Sequence, residues 1–165
     1  MSAKGILPVL RWKSVYVADT SALFAMQDLP EDVTIPPGVM DELKRYDDPR
    51  VTYWESLIKI THPSKASTEE VQRVARGTGD IGRLSPVDIS VLAVAKDVSG
   101  VILTDDYSIQ NVARLMGLEY KAVGAKGIKK VIRWDYRCIG CGKRFKEDLK
   151  ECPICGSGLK SVKRR

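Results

Sequence analysis

The most specific chemistry in this sequence is carried by its four cysteines, all of which lie between residues 138 and 155. They form two knuckles, Cys138-x-x-Cys141 and Cys152-x-x-Cys155, each followed by glycine and separated by ten residues. Each C-x-x-C-G turn presents two thiolates to one ion, with the glycine allowing the tight backbone. Four thiolates in tetrahedral array suit a structural Zn²⁺ and leave no open position for catalysis. Two disulfides or free thiols are the alternatives; the spacing and a reducing compartment favour zinc, one ion per chain. A segment this short has too little apolar area for a core of its own, so the metal is needed to fold it.

A second group of candidate ligands is acidic and dispersed. Asp19 follows the apolar run Val15–Ala18, Asp105 and Asp106 follow Val101–Thr104, and Asp88 sits three residues after Ser85. Glu42 borders the apolar face that Val39, Leu43 and Tyr46 define on a helical wheel, whereas its neighbour Asp41 points to the opposite side. Taken singly, Asp19 and Asp105 fit helix caps, Asp88 a capping box with Ser85, and Glu42 a rim charge. Taken together, converging carboxylates repel unless a cation lies among them, and an oxygen-rich set suits Mg²⁺ or Mn²⁺. Such a site supports phosphodiester hydrolysis without a histidine base. His62, the single histidine, lies in a polar stretch beside Pro63.

The elements that would position these residues can be read from the pattern. Val15–Ala18, Val33–Ile35, Val101–Thr104 and Leu118–Val123 read as strands. Helices are expected over 38–46, 51–60, from a Thr68 cap to 76, 86–98, and 106–116. Ser85-Pro86-Val87-Asp88 is a strong helix start, and the helix it opens is apolar nearly all round, so it should be deeply buried. Strands alternating with helices predict an α/β fold with a central parallel sheet flanked by helices. In such a sheet, strand carboxyl ends and following helix N-termini share one edge, where the acids could converge. The domain is expected over 1–123, a Gly- and Lys-rich linker over 124–130, and the cysteine module with a basic tail over 131–165.

Charge separates the same two pieces. Residues 1–120 hold 13 basic and 17 acidic groups, while residues 121–165 hold 14 basic and 4 acidic groups. The excess in the second piece suggests a polyanionic partner. Lys129, Lys130, Arg133, Arg137, Lys143, Arg144 and Lys146 are the candidate RNA-binding residues, interleaved with Trp134, Tyr136 and Phe145. Those aromatics could stack on bases or form the module's own core, and the core is favoured for at least one of them. No apolar run is long enough for a membrane helix, and the N-terminus has no signal-peptide pattern, which together point to the cytoplasm. A single Asn with 29% charged residues resembles a heat-adapted protein.

Gly77-Thr-Gly79-Asp-Ile-Gly82 spells a dinucleotide-binding pattern, but it follows a helix rather than a strand, so it is read as a glycine-rich loop near RNA. No phosphate-binding loop motif occurs.

Val17-Ala-Asp19-Thr-Ser-Ala-Leu23, Val39-Met-Asp-Glu42-Leu43, Ser85-Pro-Val-Asp88-Ile and Leu103-Thr-Asp105-Asp106-Tyr…Asn111-Val-Ala together resemble the successive acidic motifs of PIN-domain ribonucleases. A PIN domain followed by a zinc ribbon resembles the Nob family of ribosome-assembly endoribonucleases, here of archaeal type. The resemblance implies Mg²⁺ or Mn²⁺ held by Asp19, Glu42, Asp88 and Asp105, with Asp106 adjacent. Thr20, Ser21 and Asn111 match polar motif positions. It also implies cleavage at the 3′ end of precursor small-subunit rRNA, in a precursor of the small ribosomal subunit. The competing readings are a non-catalytic RNA- or ribosome-binding adaptor on a PIN-like scaffold and a DNA-binding protein that uses the ribbon.

Overall fold

The computed structural model describes residues 14–124 and 131–164. Its larger sheet has five parallel strands in the order β3-β2-β1-β4-β5: β1 (Tyr16–Ala18), β2 (Val33–Ile35), β3 (Lys59–Ile60), β4 (Val101–Leu103) and β5 (Tyr120–Lys121). The strands are short, but the central ones, β1, β2 and β4, are almost wholly apolar and buried, as a parallel sheet covered on both faces requires. The helices are α1 (Thr20–Ala25), α2 (Pro37–Arg45), α3 (Arg50–Leu57), α4 (Lys65–Thr78), α5 (Pro86–Val98) and α6 (Tyr107–Leu115).

Helix α5 buries Ile89, Val91, Leu92, Ala93, Val94 and Ala95, in line with its all-round apolar sequence. Ser85 and Asp88 form the expected reciprocal capping box. Two expectations are corrected. The start of α4 is Ser64, not Thr68, because the Ser64 hydroxyl accepts from the Ser67 amide while Asp97 of α5 accepts from Ser64 and Ser67. The helix expected over 51–60 stops at Leu57, and Lys59–Ile60 pairs with β2 as an edge strand.

A separate three-stranded antiparallel sheet, in the order β7-β6-β8, carries the cysteines: β6 (Trp134–Cys138), β7 (Arg144–Phe145) and β8 (Leu159–Lys163). Among the described residues, no helix is long and apolar enough to cross a membrane.

Candidate active site and metal centre

The strand order reverses at β1: the chain runs outward through β2 and β3, then returns to β4 on the other side of β1. Beyond the carboxyl ends of β1 and β4 the flanking connections diverge and leave a crevice, the usual place for a ligand in an open α/β sheet. Asp19 and the segment Thr104–Asp106 occupy that place by chain continuity alone. A cavity of about 190 Å³ there is lined by Asp19, Thr20, Glu42, Asp88 and Asp106, among others.

Each of these carboxylates is aimed by its own chain. Asp19 caps α1: one oxygen accepts from the Ala22 amide at 2.6 Å and the Ser21 hydroxyl at 2.9 Å. The other accepts from the hydroxyl of Thr104, which is fully buried just beyond β4. Glu42 on α2 accepts from the Thr20 hydroxyl. Asp88 accepts from the Ser85 amide at 2.7 Å, and Asp106 caps α6 by accepting from Ser108 and Ile109 amides at 2.6 and 3.1 Å. Asp41 is exposed on the far side of α2.

The structure places one of the expected residues outside this cavity's lining. Asp105, expected to join the metal site ahead of its neighbour, accepts instead from the Val123 amide at 2.8 Å and the Gly124 amide at 2.9 Å. β4 ends at Leu103, and the turn after Thr104 sends Asp105 toward β5 and Asp106 into the crevice. Thr104, which sequence reasoning missed, was hidden inside an apolar strand run; a hydroxyl ending such a run was the available signal.

Burial pushes the Asp19 carboxyl above the ordinary value of 3.8, with the Asp106 charge adding to it, although hydrogen bonds from Thr104, Ala22 and Ser21 pull the other way. Asp88 is raised by the same leading cause and by the charges of Asp106 and Glu42, against the Ser85 hydrogen bonds. The cleft is thus an acid-lined pocket in which Asp19 and Asp88 resist ionising. An all-oxygen donor set of this kind matches a hard divalent cation.

The thiols are arranged quite differently. Among the described residues they form a group whose ligand atoms all lie within 4.8 Å of one another. Cys138 and Cys155 sulfurs are 3.4 Å apart, and those of Cys141 and Cys152 3.6 Å, far beyond a bonded pair and with all four cysteines free. A tetrahedron with ~2.3 Å metal–sulfur bonds has edges of about 3.8 Å, so the spacing fits one ion. The glycines that close the knuckles, Gly142 and Gly156, have φ of 74° and 72°, as the tight turns demand.

The cysteine module is docked on the larger domain. Asn111, fully buried in α6, accepts from the Ile132 amide and donates to the Ile132 carbonyl and to Asp80. Asp80, also fully buried, accepts from the Trp134 indole at 2.9 Å and from Thr78. The Arg83 guanidinium lies 3.9 Å from the Trp134 ring centroid, and the Tyr136 hydroxyl donates to the Gly79 carbonyl at 3.1 Å. Asn111 and the glycine run therefore belong to a joint rather than to the carboxylate cleft. A Cβ at Gly79 would stand 2.7 Å from the Trp134 carbonyl oxygen, which explains the glycine there without a nucleotide. Trp134 and Tyr136 are engaged in this joint rather than free to stack on bases.

Of the candidate RNA contacts, Arg133, Arg137, Lys143, Arg144 and Lys146 are exposed, whereas Lys129 and Lys130 lie outside the described residues. Arg137 stands opposite Arg144 on β7 and Lys160 on β8, so three cations form a row across the small sheet. Like charges placed directly opposite cost stability, which singles the row out as a phosphate-binding candidate. Lys160 was missed because only strand register reveals it.

A family model described as the PIN domain of ribonuclease matches residues 16–98. The chain is 42% identical over 156 residues to endoribonuclease Nob1 of Pyrococcus abyssi, covering 90% of this chain and 94% of that protein. It is 38% identical to ribonuclease VapC1 of Thermoplasma acidophilum, covering 88% of this chain and 77% of that protein. Endoribonuclease Nob1 of Archaeoglobus fulgidus is 37% identical, with 87% of each chain covered.

Proposed function

This chain belongs to the Nob1 family of PIN-domain endoribonucleases, and from that premise we propose that it cuts precursor small-subunit rRNA at the 3′ boundary, within a precursor of the small ribosomal subunit in the cytoplasm. The observation that carries the reading is the convergence of Asp19, Glu42, Asp88 and Asp106 on one cavity at the reversal of strand order. These four would hold Mg²⁺ or Mn²⁺, and Cys138, Cys141, Cys152 and Cys155 would hold one structural Zn²⁺.

A divalent ion in the cleft supplies a water of lowered pKa and offsets charge on the phosphate. The chain supplies the positioning. Thr104, Ser21 and the Ala22 amide fix both oxygens of Asp19, and Thr20 aims Glu42 from the adjacent turn. The row of Arg144, Arg137 and Lys160, with Arg133, Lys143 and Lys146, would hold the RNA backbone. Docking through Asn111 and Asp80 sets where that basic surface stands relative to the cleft.

The test is cleavage of a precursor small-subunit rRNA 3′ fragment with metal and Asp19→Asn varied together. Loss of several kcal/mol of charge stabilisation, at ~1.4 kcal/mol per decade, lowers turnover on the order of 10²–10³-fold. Asp19→Asn should keep RNA affinity and fold. Equal cleavage by variant and wild type would sink the assignment of the cleft. Cutting away from the 3′ boundary would remove the rRNA substrate and leave the nuclease.

A further inference from the structure

Beside the carboxylate cleft lies a second, larger cavity of about 540 Å³. The two share Thr20, Ser21 and Glu42, so this cavity is a direct extension of the place where the phosphate would be cut. Its own walls are Phe24 of α1 and Tyr46, the residue that ends α2. Their rings meet edge to face, with centroids 5.2 Å apart and planes at 80°, which makes an aromatic corner. Tyr46 is 69% exposed. The core does not need it, and a large aromatic face left open at an active-site margin is available to a ligand.

We propose that this corner is a base-binding subsite, which takes the unpaired base of a nucleotide next to the scissile phosphate by stacking on the exposed Tyr46 ring, with Phe24 closing the corner. The proposal rests on the reading of the neighbouring cleft as the RNA-cutting site. Charge argues for a base rather than a second phosphate, because the polar groups lining it are Glu42, Asp48, a Thr20 hydroxyl already directed at Glu42 and a Ser21 hydroxyl already directed at Asp19. Glu42 repels an anion and Asp48 is already paired with Arg50 at 2.7 Å, while a flat neutral ring with N–H groups at its edge finds carboxylate acceptors. Asp48 stays ionised, since hydrogen bonds from the Arg50 side chain and amide hold it below the ordinary carboxylate range. Arg50 in turn donates to the Met26 and Phe24 carbonyls and lies 4.7 Å over the Trp54 ring, which braces the wall before any ligand arrives. Stacking on such a platform tolerates any base, so the subsite would demand an unpaired nucleotide more than a sequence.

The experiment pairs Tyr46→Ala with a short single-stranded RNA in which an abasic ribose is moved through the positions flanking the cut. Tyr46→Ala should lower kcat/KM roughly 5- to 100-fold on intact RNA. An abasic ribose at one flanking position should cost the wild type a similar factor and cost Tyr46→Ala almost nothing, the non-additivity expected of two partners in one contact. Tyr46→Trp should restore the abasic penalty. Intact RNA cut equally by Tyr46→Ala, or abasic penalties identical in both proteins at every position, would overturn the subsite. The same coupling read as Kd in an Asp19→Asn background separates the two ideas. Coupling in affinity without wild-type cleavage overturns the nuclease reading and keeps the base site; cleavage without coupling does the reverse.

Discussion

The thiolate cluster and the carboxylate cleft each gather four acidic ligands, yet the chain treats them oppositely. The thiols come from two turns within residues 138–155, and their sulfurs gather at the corners of one tetrahedron. The sheet that carries them is small, with strands of five, two and five residues. The carboxylates come from four distant stretches and line a wider cavity, each tied back by hydrogen bonds from its own surroundings. In the module a metal would hold the chain; in the cleft the chain would hold a metal. The first arrangement suits an ion that never leaves, and the second an ion that must keep room for water and phosphate.

Stripping both metals should make that contrast visible and gives the largest expected effect. Apparent binding free energies of ~10–16 kcal/mol for thiolate zinc sites are folding free energies in small modules. A strong chelator should therefore abolish amide hydrogen-exchange protection across 134–163 while leaving β1, β2 and β4 protected. Mild chelation that empties the cleft alone should alter exchange nowhere beyond the cleft. Native mass spectrometry follows the metal content, and a ribbon that keeps its protection after verified metal loss breaks the comparison.

The same contrast explains what the sequence made legible. The cysteine knuckles were readable because their geometry is local: Gly142 and Gly156 follow the second cysteine of each pair, where φ turns positive. The parallel sheet and α5 were readable from apolar runs and from the Ser85-Pro86…Asp88 start. The choice between Asp105 and Asp106 was not, because a shift of one residue at the end of β4 turns a side chain to the other side, and the segment just after β5 decides it by offering the Val123 and Gly124 amides to Asp105. Strand β3 was hidden because no Gly or Pro separates it from α3 and its pairing with β2 is non-local. The joint was hidden for the same reason: nothing near Gly79, Asp80 or Asn111 announces a strand that arrives from residue 132 onward.

That joint allows the comparison to be sharpened by cutting between its halves. Asn111→Ala removes the groups that pair the Ile132 amide and carbonyl and leaves buried Asp80 one donor short. A buried polar group left without its partner costs ~1–3 kcal/mol. At ~2–4 °C per kcal/mol for a chain of this size, Tm should fall by several degrees. Neither metal site is touched, so metal content should be unchanged, while long RNA that spans ribbon and cleft should be cut less efficiently than a short oligonucleotide. An unchanged Tm would mean the ribbon is held by something other than this buried pair.

The smallest effect is one of direction, and it isolates the cleft. Asp19 and Asp88 hold their protons more tightly in the folded protein than at the ordinary value of 3.8, chiefly through burial. Their contribution to stability in metal-free cleft protein is therefore complete below that value and is lost as pH rises through the elevated folded values. A divalent ion needs the deprotonated carboxylates, so its stabilisation must run the other way and grow with pH. With the thiolate metal kept in place, the gain in Tm on adding Mn²⁺ should be smallest at the acid end of the stable range and grow as pH rises above the ordinary carboxylate value. Asp19→Asn should flatten both trends, because it removes one of the two raised titrations and a ligand together. An Mn²⁺ gain that does not change with pH would place the ion away from Asp19 and Asp88.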